Sequence, residues 1–360
     1  MLRHSLALAL ILHCVACLET GPEFPDREPA EMLQAATLLP ADAQTTLLRV
    51  MTYNIKFGGA RVDFFFDGWG ERVHMSEAEV TANLDGMLAL IAEIDPDVLL
   101  LQEVDRDSRR SAFVDQAQYI LDHSKLNYGA YGHAWRSHFV PDHGLGQVDM
   151  GVMVLSRFPL EEGERIDQGP IDEQDPVTQR FYLRRAMVKA VVVLSGGRRI
   201  PVIAVHTAAY ATDGTKKRQI DQIRDEAEAT TGPVIVGGDF NALPPGATQR
   251  EGFADEKPVL TDEPVHYRGE EDWMQGIYDL LKPAISLTDY QANESRYFSA
   301  SVNRNIFWTK RLDYLFCRDS WSTGANILQK PGDLWLGKPI QADPMKLSDH
   351  APLVALLPLQ

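Results

Sequence analysis

Six short polar groups in this chain each stand on or just past an apolar, β-prone run. Tyr53-Asn54 follows residues 47–51, Gln102-Glu103 follows 98–101, and His206 follows 200–205. Asp239-Phe240-Asn241 follows 234–236, Asp313 follows 310–312, and Asp349-His350 lies between 345–347 and 353–357. A strand end is a rigid mount for a reactive side chain. One such coincidence means little. Six of them, carrying carboxylate, amide and imidazole, point to a metal-assisted hydrolytic centre on a strand-rich scaffold.

The rest of the pattern says which scaffold. Ser76-Glu77-Ala78-Glu79 is a capping box, and Val80, Leu84, Met87, Leu88 and Ile91 follow at helical spacing until Asp95-Pro96 stops them. A second helix is expected over 112–123 and a third from Thr215 to about Ala229, with Ile220, Ile223 and Ala227 inward. Residues 150–155 and 186–194 read as strands, and 243–283 as a long loop with one short helix. Strands outnumber helices, and several follow one another without a helix between them. That predicts stacked sheets with outer helices, in a single mixed α/β domain over 47–360.

The N-terminus reads differently. Arg3 and His4 precede a short apolar run, which suits an export signal over residues 1–17 and is too short for a safe membrane span. Cys14-Val15-Ala16-Cys17 resembles a bacterial lipobox with Cys17 as the lipidated residue, although Cys14 stands where leucine is usual. The expected product is exported, either as a membrane-anchored lipoprotein or as a secreted or periplasmic protein. Residues 18–46, with Pro22, Pro25, Pro29 and Pro40, have the composition of a flexible tether. Cys317 is the remaining cysteine, so no disulfide framework is implied.

Each polar group has a bland reading beside the chemical one. Glu103 suits a hard cation, or a surface ion pair. Asp239 and Asn241, two apart after Gly237-Gly238, could share one side of an extended segment, or form an Asx-turn. The two glycines suggest a backbone that passes close beneath a ligand. His206 could be a hydrogen-bonded core histidine. His350 could protonate an oxygen if a carboxylate orients it, and Asp313 is the natural orienter unless it pairs with Arg311.

Taken in order, these groups resemble the endonuclease/exonuclease/phosphatase superfamily, which includes DNase I-like nucleases, inositol polyphosphate 5-phosphatases and neutral sphingomyelinases. The matching segments are Met51-Thr52-Tyr53-Asn54-Ile55, 97–103, 151–159, Val205-His206-Thr207, 237–241, 311–316 and Ser348-Asp349-His350. The resemblance implies a four-layer α/β/β/α sandwich and in-line attack of water on a phosphoester, with Mg2+ or, in its place, Mn2+. It implies a metal held by Glu103 and Asn54 with Asp349 in support, and catalytic roles for His206, Asp239, Asn241, Asp313 and His350. Asp239 would activate water, Asn241 bind a phosphoryl oxygen, His206 assist the phosphate or leaving group, and Asp313 orient His350. Arg185 matches a basic position near the scissile phosphate in some members, and is otherwise a strand-edge arginine. The segment 151–159 is closest in style to sphingomyelinase-like and GPI-lipid-remodelling branches.

The chain of 360 residues has a formal net charge of -16 and a pI near 5.0. That balance argues against nonspecific nucleic-acid binding. The expected partner of a monomeric protein is therefore a small phosphoester or phospholipid, with DNA or RNA as the alternative. A non-catalytic surface binding protein would need a broken site, and none of the matched positions holds an inert residue. Phe64, Phe65, Phe66 and Trp69 either reach a lipid interface or line a buried wall. Lys216-Lys217-Arg218 either steers an anionic substrate or lies on a solvated helix face.

Overall fold

A computed structural model describes residues 24–42, 44–209, 211, 213–257 and 267–359. Residues 1–17, with the export signal and Cys17, lie outside the described residues. In chain order the strands are β1 (Arg27–Pro29), β2 (Glu31–Gln34), β3 (Leu47–Asn54), β4 (Val98–Asp105), β5 (Tyr128–Val140), β6 (Gly146–Ser156), β7 (Leu160–Asp167) and β8 (Ala186–Val193). There follow β9 (Arg199–His206), β10 (Ile235–Asp239), β11 (Lys282–Pro283), β12 (Asp313–Cys317), β13 (Asn326–Ile327), a hairpin of β14 (Leu334–Trp335) and β15 (Lys338–Pro339), and β16 (Leu353–Pro358). The α-helices are α1 (Glu77–Ile94), α2 (Gln116–Asp122), α3 (Pro176–Phe181), α4 (Thr215–Ala229), α5 (Gln275–Leu280) and α6 (Leu287–Ala292).

Side-chain alternation builds the layers. In β3, Leu48 and Val50 face one way and Met51 and Tyr53 the other; in β4, Leu100 opposes Leu99 and Leu101. The first set packs against Val202, Ala204, Ile235 and Leu315 of the facing sheet and forms the central core. The second set packs under α1, through Val80, Leu84, Met87 and Ile91. Val205, Val236, Tyr314 and Phe316 point away from the central core and meet Ile220 and Ile223 of α4 and Ile277 of α5. Each such buried side chain contributes about 1.5–3 kcal/mol. The result is the expected four layers, helix–sheet–sheet–helix. One seven-stranded sheet runs β1-β7-β8-β9-β10-β12-β11 and the other β13-β16-β3-β4-β6-β5-β2.

Ser76 caps α1 by accepting from Glu79 N while Glu79 reaches back, and Asp95 ends it in a left-handed turn. The helix expected over 112–123 is shorter. Asp115 caps it by accepting from Gln118 N, and residues before that cap form a separate turn. Helix α4 begins at Thr215 as expected, with Gly214 at its cap.

The tether reading fails over residues 27–34. β1 pairs antiparallel with β7 and β2 with β5, so this segment closes one edge of each sheet. Pro29 suits an edge, where a missing N–H costs nothing to the ladder. The folded domain therefore starts before residue 47. No helix among the described residues is long and apolar enough to cross a membrane.

Candidate active site

Strand register brings the polar groups to one end of both sheets. In one sheet His206 of β9 lies beside Asp239 of β10, and Asp239 lies opposite Asp313 of β12. In the other, Asn54 of β3 lies beside Gln102 of β4. Glu103 then occupies a bulge, where the β4–β6 register shifts between Leu101 and Val104. Its φ of 57° is left-handed, costly for a side-chain-bearing residue. The bulge takes Glu103 out of the ladder alternation and leaves its side chain on the cavity wall. Asn241 is also left-handed, at φ 47°.

Gly238 and Gly237 serve their neighbouring strands rather than a ligand. A Cβ on Gly238 would stand 2.0 Å from Val205 O, and one on Gly237 would stand 2.5 Å from Leu315 Cδ2. The close approach anticipated beneath a substrate is an approach of strand to strand.

The side chains meet across the two sheets. Asn54 Nδ2 donates to Glu103 Oε1 at 3.2 Å and to Asp239 Oδ2 at 3.1 Å, while its Oδ1 accepts from Lys56 N at 3.0 Å. His206 Nε2 lies 3.4 Å from Asp239 Oδ2 and 3.8 Å from Glu103 Oε1. His350 Nε2 lies 3.6 Å from the same Asp239 oxygen, and its Nδ1 lies 2.7 Å from Asp313 Oδ2. Asn241 N donates to Asp239 Oδ1 at 2.9 Å, and Asn241 Nδ2 donates to Thr207 O at 3.0 Å. Asp313 therefore pairs with His350 and not with Arg311, whose buried guanidinium lies over the Tyr314 ring. Gln102 stays inside its sheet, bonded to Thr52.

These contacts sort the charges. Burial alone would lower the His350 pKa, but Asp313 and then Asp239 outweigh it and raise it to about 10. Burial opposes ionisation of Asp239 too. His350, His206 and the Asn241 N–H overcome that and hold its carboxyl below the usual range. His206 is lowered, first by burial and then by Arg185, so it is neutral at pH 7. Arg185 NH1 lies 2.7 Å from His206 Nδ1. The same NH1 lies 2.9 Å from Nε2, so the arginine faces both ring nitrogens, while Nε2 also faces Asp239.

Glu103, Arg185, His206, Asp239, Asn241, Asp349 and His350 all line one cavity of about 730 Å³. Asn54 lies behind Glu103 and Asp239. Asp349 stands next to the group, 3.6 Å from Lys56 Nζ, and Ser348 Oγ ties its backbone neighbour to Asn54 O at 2.7 Å. The aromatic loop packs inward. Phe64 is buried against Phe57 and Phe66, while Phe65 and Phe66 line the cavity. The basic run at the start of α4 does not form a steering patch. Lys216 is buried against Glu270 at 2.9 Å, and Lys217 and Arg218 pair with Asp221 and Asp172.

Residue-by-residue reading missed Lys56. It is buried, lines the cavity and joins Asp67 of the aromatic loop at 2.7 Å to Asp349 at 3.6 Å. Its place two residues past Asn54 was the available signal. It also missed Glu256 and Lys310, which line the same cavity from distant parts of the chain. The segment 151–159 proves structural at its far end. Arg157 pairs with Asp95 and Asp97 at the start of β4, away from the cavity.

Oxygen donors dominate the part of the site expected to hold a metal. Among the described residues Glu103 makes no ion pair with a lysine or arginine. A carboxylate without a cationic partner beside an amide suits a hard divalent cation. Asp349 fits less directly, because Lys56 already faces it. Asp239, Asp313 and His350 also carry ligand atoms within 4.8 Å of one another. An ion there would have to displace the proton that both carboxylates hold on His350.

Comparison with known proteins agrees with this fold. The chain is 29% identical over 104 residues to a UPF0294 protein of Yersinia pseudotuberculosis, a match covering 29% of this chain and 37% of the relative. The chain thus spans about a third of the length of that curated relative. An endonuclease/exonuclease/phosphatase from Beutenbergia cavernae superposes with a TM-score of 0.54 at 19% identity, covering 88% of this chain and 72% of that one. A protein described in the same words from Bacteroides vulgatus gives 0.53 at 15%, covering 88% and 100%. The human Nocturnin catalytic domain with bound sulfate gives 0.51 at 18%, covering 91% and 96%. At such identities the superpositions speak for the fold alone. The sequence profile matches over residues 51–350, which include every strand-end group named above, and this chain belongs to the Endonuclease/Exonuclease/phosphatase family.

Proposed function

We propose that the protein is a divalent-metal-dependent phosphodiesterase that acts on a phospholipid head group or small phosphoester. One observation carries the reading. Asp239 is held ionised between a neutral His206 and a charged His350, on a cavity floor shared with Glu103, which has no lysine or arginine partner among the described residues.

The roles follow from the charges. Asp239 accepts a proton from the attacking water, since its carboxyl is ionised at neutral pH. His350 donates to a phosphoryl oxygen or leaving group, and Asp313 keeps its ring oriented and charged. His206 holds Asp239 in place from the other side, and Arg185 offers positive charge to the phosphate. Asn241 keeps one amide proton for a phosphoryl oxygen after bonding Thr207. Glu103 and Asn54, supported by Asp349, would hold the cation. When bound, Mg2+ or Mn2+ supplies charge neutralisation for the transition state of in-line displacement.

Two features support a lipid or small-molecule substrate over nucleic acid. The net charge is -16, and the cavity wall includes Phe65, Phe66, Trp135, Leu145 and Met150. The signal-like residues 1–17 support export, with lipidation at Cys17 or contact through the aromatic loop as routes to a membrane. Purified protein should hydrolyse bis-p-nitrophenyl phosphate with Mg2+ or Mn2+, and Glu103→Ala should abolish this. An unaffected variant would sink the metal assignment. Phospholipid turnover should exceed plasmid nicking; efficient nicking without lipid turnover would make the protein a nuclease.

A further inference from the structure

The cavity is larger than a phosphate needs. At about 730 Å³ it has the volume of a whole small-molecule site, and the catalytic groups take up only part of its lining. Another part is apolar and is built from three separate stretches of chain. Phe65 and Phe66 come from the aromatic loop, Trp135 from β5, and Tyr182 and Leu183 from the segment before β8. All of these side chains are half-buried, so they stay open to whatever enters the cavity. Phe65, Trp135 and Leu183 rest on a buried cluster that includes Val140, Leu145 and Met150.

The three stretches are tied to one another. The Trp135 indole N–H donates to Phe181 O at 2.8 Å, Arg184 N donates to Ala134 O at 2.7 Å, and the Trp135 and Tyr182 rings lie 5.8 Å apart. Phe65 stacks on His143 of the β5–β6 turn at 4.3 Å. A wall held in this way is formed before a ligand arrives. Charges beside it are paired. The Arg110 guanidinium, 5.8 Å from the Trp135 ring, donates to both oxygens of Asp105 at 2.9 Å, and Asp142 faces the His143 ring at 2.7 Å. With its N–H taken by Phe181 O, Trp135 offers a ligand its carbon face.

We infer that this wall is a subsite for an uncharged hydrocarbon group on the substrate's alcohol, so that the protein selects its phosphoester by the apolar side of the ester and not by a charged head group. This rests on the phosphoester reading and names the substrate class for that same cavity. A quaternary ammonium would also suit aromatic faces, but Asp105 and Asp142 already face Arg110 and His143. A hydrocarbon group needs only the apolar contact, and it releases water from rings that are otherwise wet. Each methylene moved from water onto such a wall should strengthen binding by about fourfold.

The test uses alkylphosphonates, whose carbon–phosphorus bond replaces the ester and is not hydrolysed. Dissociation constants of the ethyl, propyl and butyl compounds would be measured by calorimetry on the purified protein with Mg2+. They should fall by about fourfold with each added methylene. Neohexylphosphonate and its trimethylammonioethyl counterpart have the same shape and differ in a carbon against a charged nitrogen. The neutral compound should bind more tightly, by roughly tenfold or more, because an ammonium on this wall gives up water for no anion. Leu183→Asp, which sets a charge into the wall, should flatten the chain-length series whatever the absolute affinity. The series in the unaltered protein decides the matter even where that variant does not fold. A flat series, tighter binding of the ammonium compound, or an unchanged increment in a folded Leu183→Asp would each overturn the inference. Binding is read here without turnover. Hydrolysis of bis-p-nitrophenyl phosphate beside a flat series would therefore overturn the subsite alone, and a rising series without hydrolysis of any phosphodiester would overturn the phosphoester reading alone.

Discussion

Asp313→Asn isolates the charge that makes His350 an acid. Asparagine keeps the shape of the side chain and removes only its charge. Asp313 Oδ2 lies 2.7 Å from His350 Nδ1, with both residues buried. At an effective dielectric constant of 20, a unit pair at that distance interacts by roughly 6 kcal/mol before desolvation. Asp239, at 3.6 Å from Nε2, would remain. The His350 pKa should therefore fall well below its present value of about 10. With the proton less firmly held and the ring free to turn, kcat should drop by about 10²–10⁴. KM should change little. The alkaline limb of the pH–rate profile should move to lower pH. Stability gives a second readout with a definite sign. His350 is raised in the folded state, so its contribution is full below the unfolded pKa of about 6.5. It is lost as pH rises through about 10. The shift corresponds to about 5 kcal/mol at most. Urea unfolding of the unaltered protein should weaken across that window, and the Asn variant should show a flatter dependence. Rates would be read as p-nitrophenol released from bis-p-nitrophenyl phosphate after quenching in base. A variant within threefold of normal kcat, with an unmoved alkaline limb, would refute the reasoning.

Gly238→Ala should prevent folding or cost more than about 3 kcal/mol in urea unfolding, because its Cβ would lie 2.0 Å from Val205 O. A normal midpoint would show that β9 and β10 can separate. Asp95→Asn should weaken the protein by about 2 kcal/mol at neutral pH. Burial opposes ionisation of Asp95, but Lys125, Arg157 and Arg49 hold its pKa at about 2. That contribution is present above the unfolded value near 3.9 and lost as pH falls through 2, so the two proteins should converge in acid. Divergence there would contradict the assignment. Chelation should abolish turnover and lower the melting temperature of the unaltered protein, whereas Glu103→Gln should lose the Mg2+-dependent part of that temperature. An undiminished Mg2+ response in the variant would move the cation elsewhere.

The strand-end groups were legible because β-strands translate sequence parity into direction. Once Ile203 and Val205 pack outward and Val202 and Ala204 inward, the end of the strand is fixed and His206 with it. What could not be read was set by distant partners. Lys216 looks like a surface residue beside Lys217 and Arg218, but Glu270, 54 positions away, draws it inward. Residues 27–34 look like a tether because an edge strand needs backbone bonds and little apolar content. The bulge at Glu103 leaves no composition signal, since Val98 to Asp105 reads as an unbroken strand with or without it. Lys310 and Glu256 meet although 54 positions apart, so neither could be paired by spacing.

The site is divided between two sheets that share no backbone hydrogen bond, since β3 and β4 belong to one and β9, β10 and β12 to the other. Asn54 crosses the division. Its amide bonds Glu103 on its own side and Asp239 on the other. The distance between cation site and general base is therefore set by the apolar layer between the sheets, where Leu100, Ala204, Ile235 and Leu315 pack. Close-packed layers transmit small displacements rather than absorbing them. A misplacement of about 1 Å between reacting groups can cost 10²-fold in rate. The central core thus fixes geometry as well as stability. Glu103 and Asn241 are both left-handed, one in each half of the site. At Glu103 the bulge turns toward the cavity a side chain that regular alternation would send, with Leu99 and Leu101, to the face under α1.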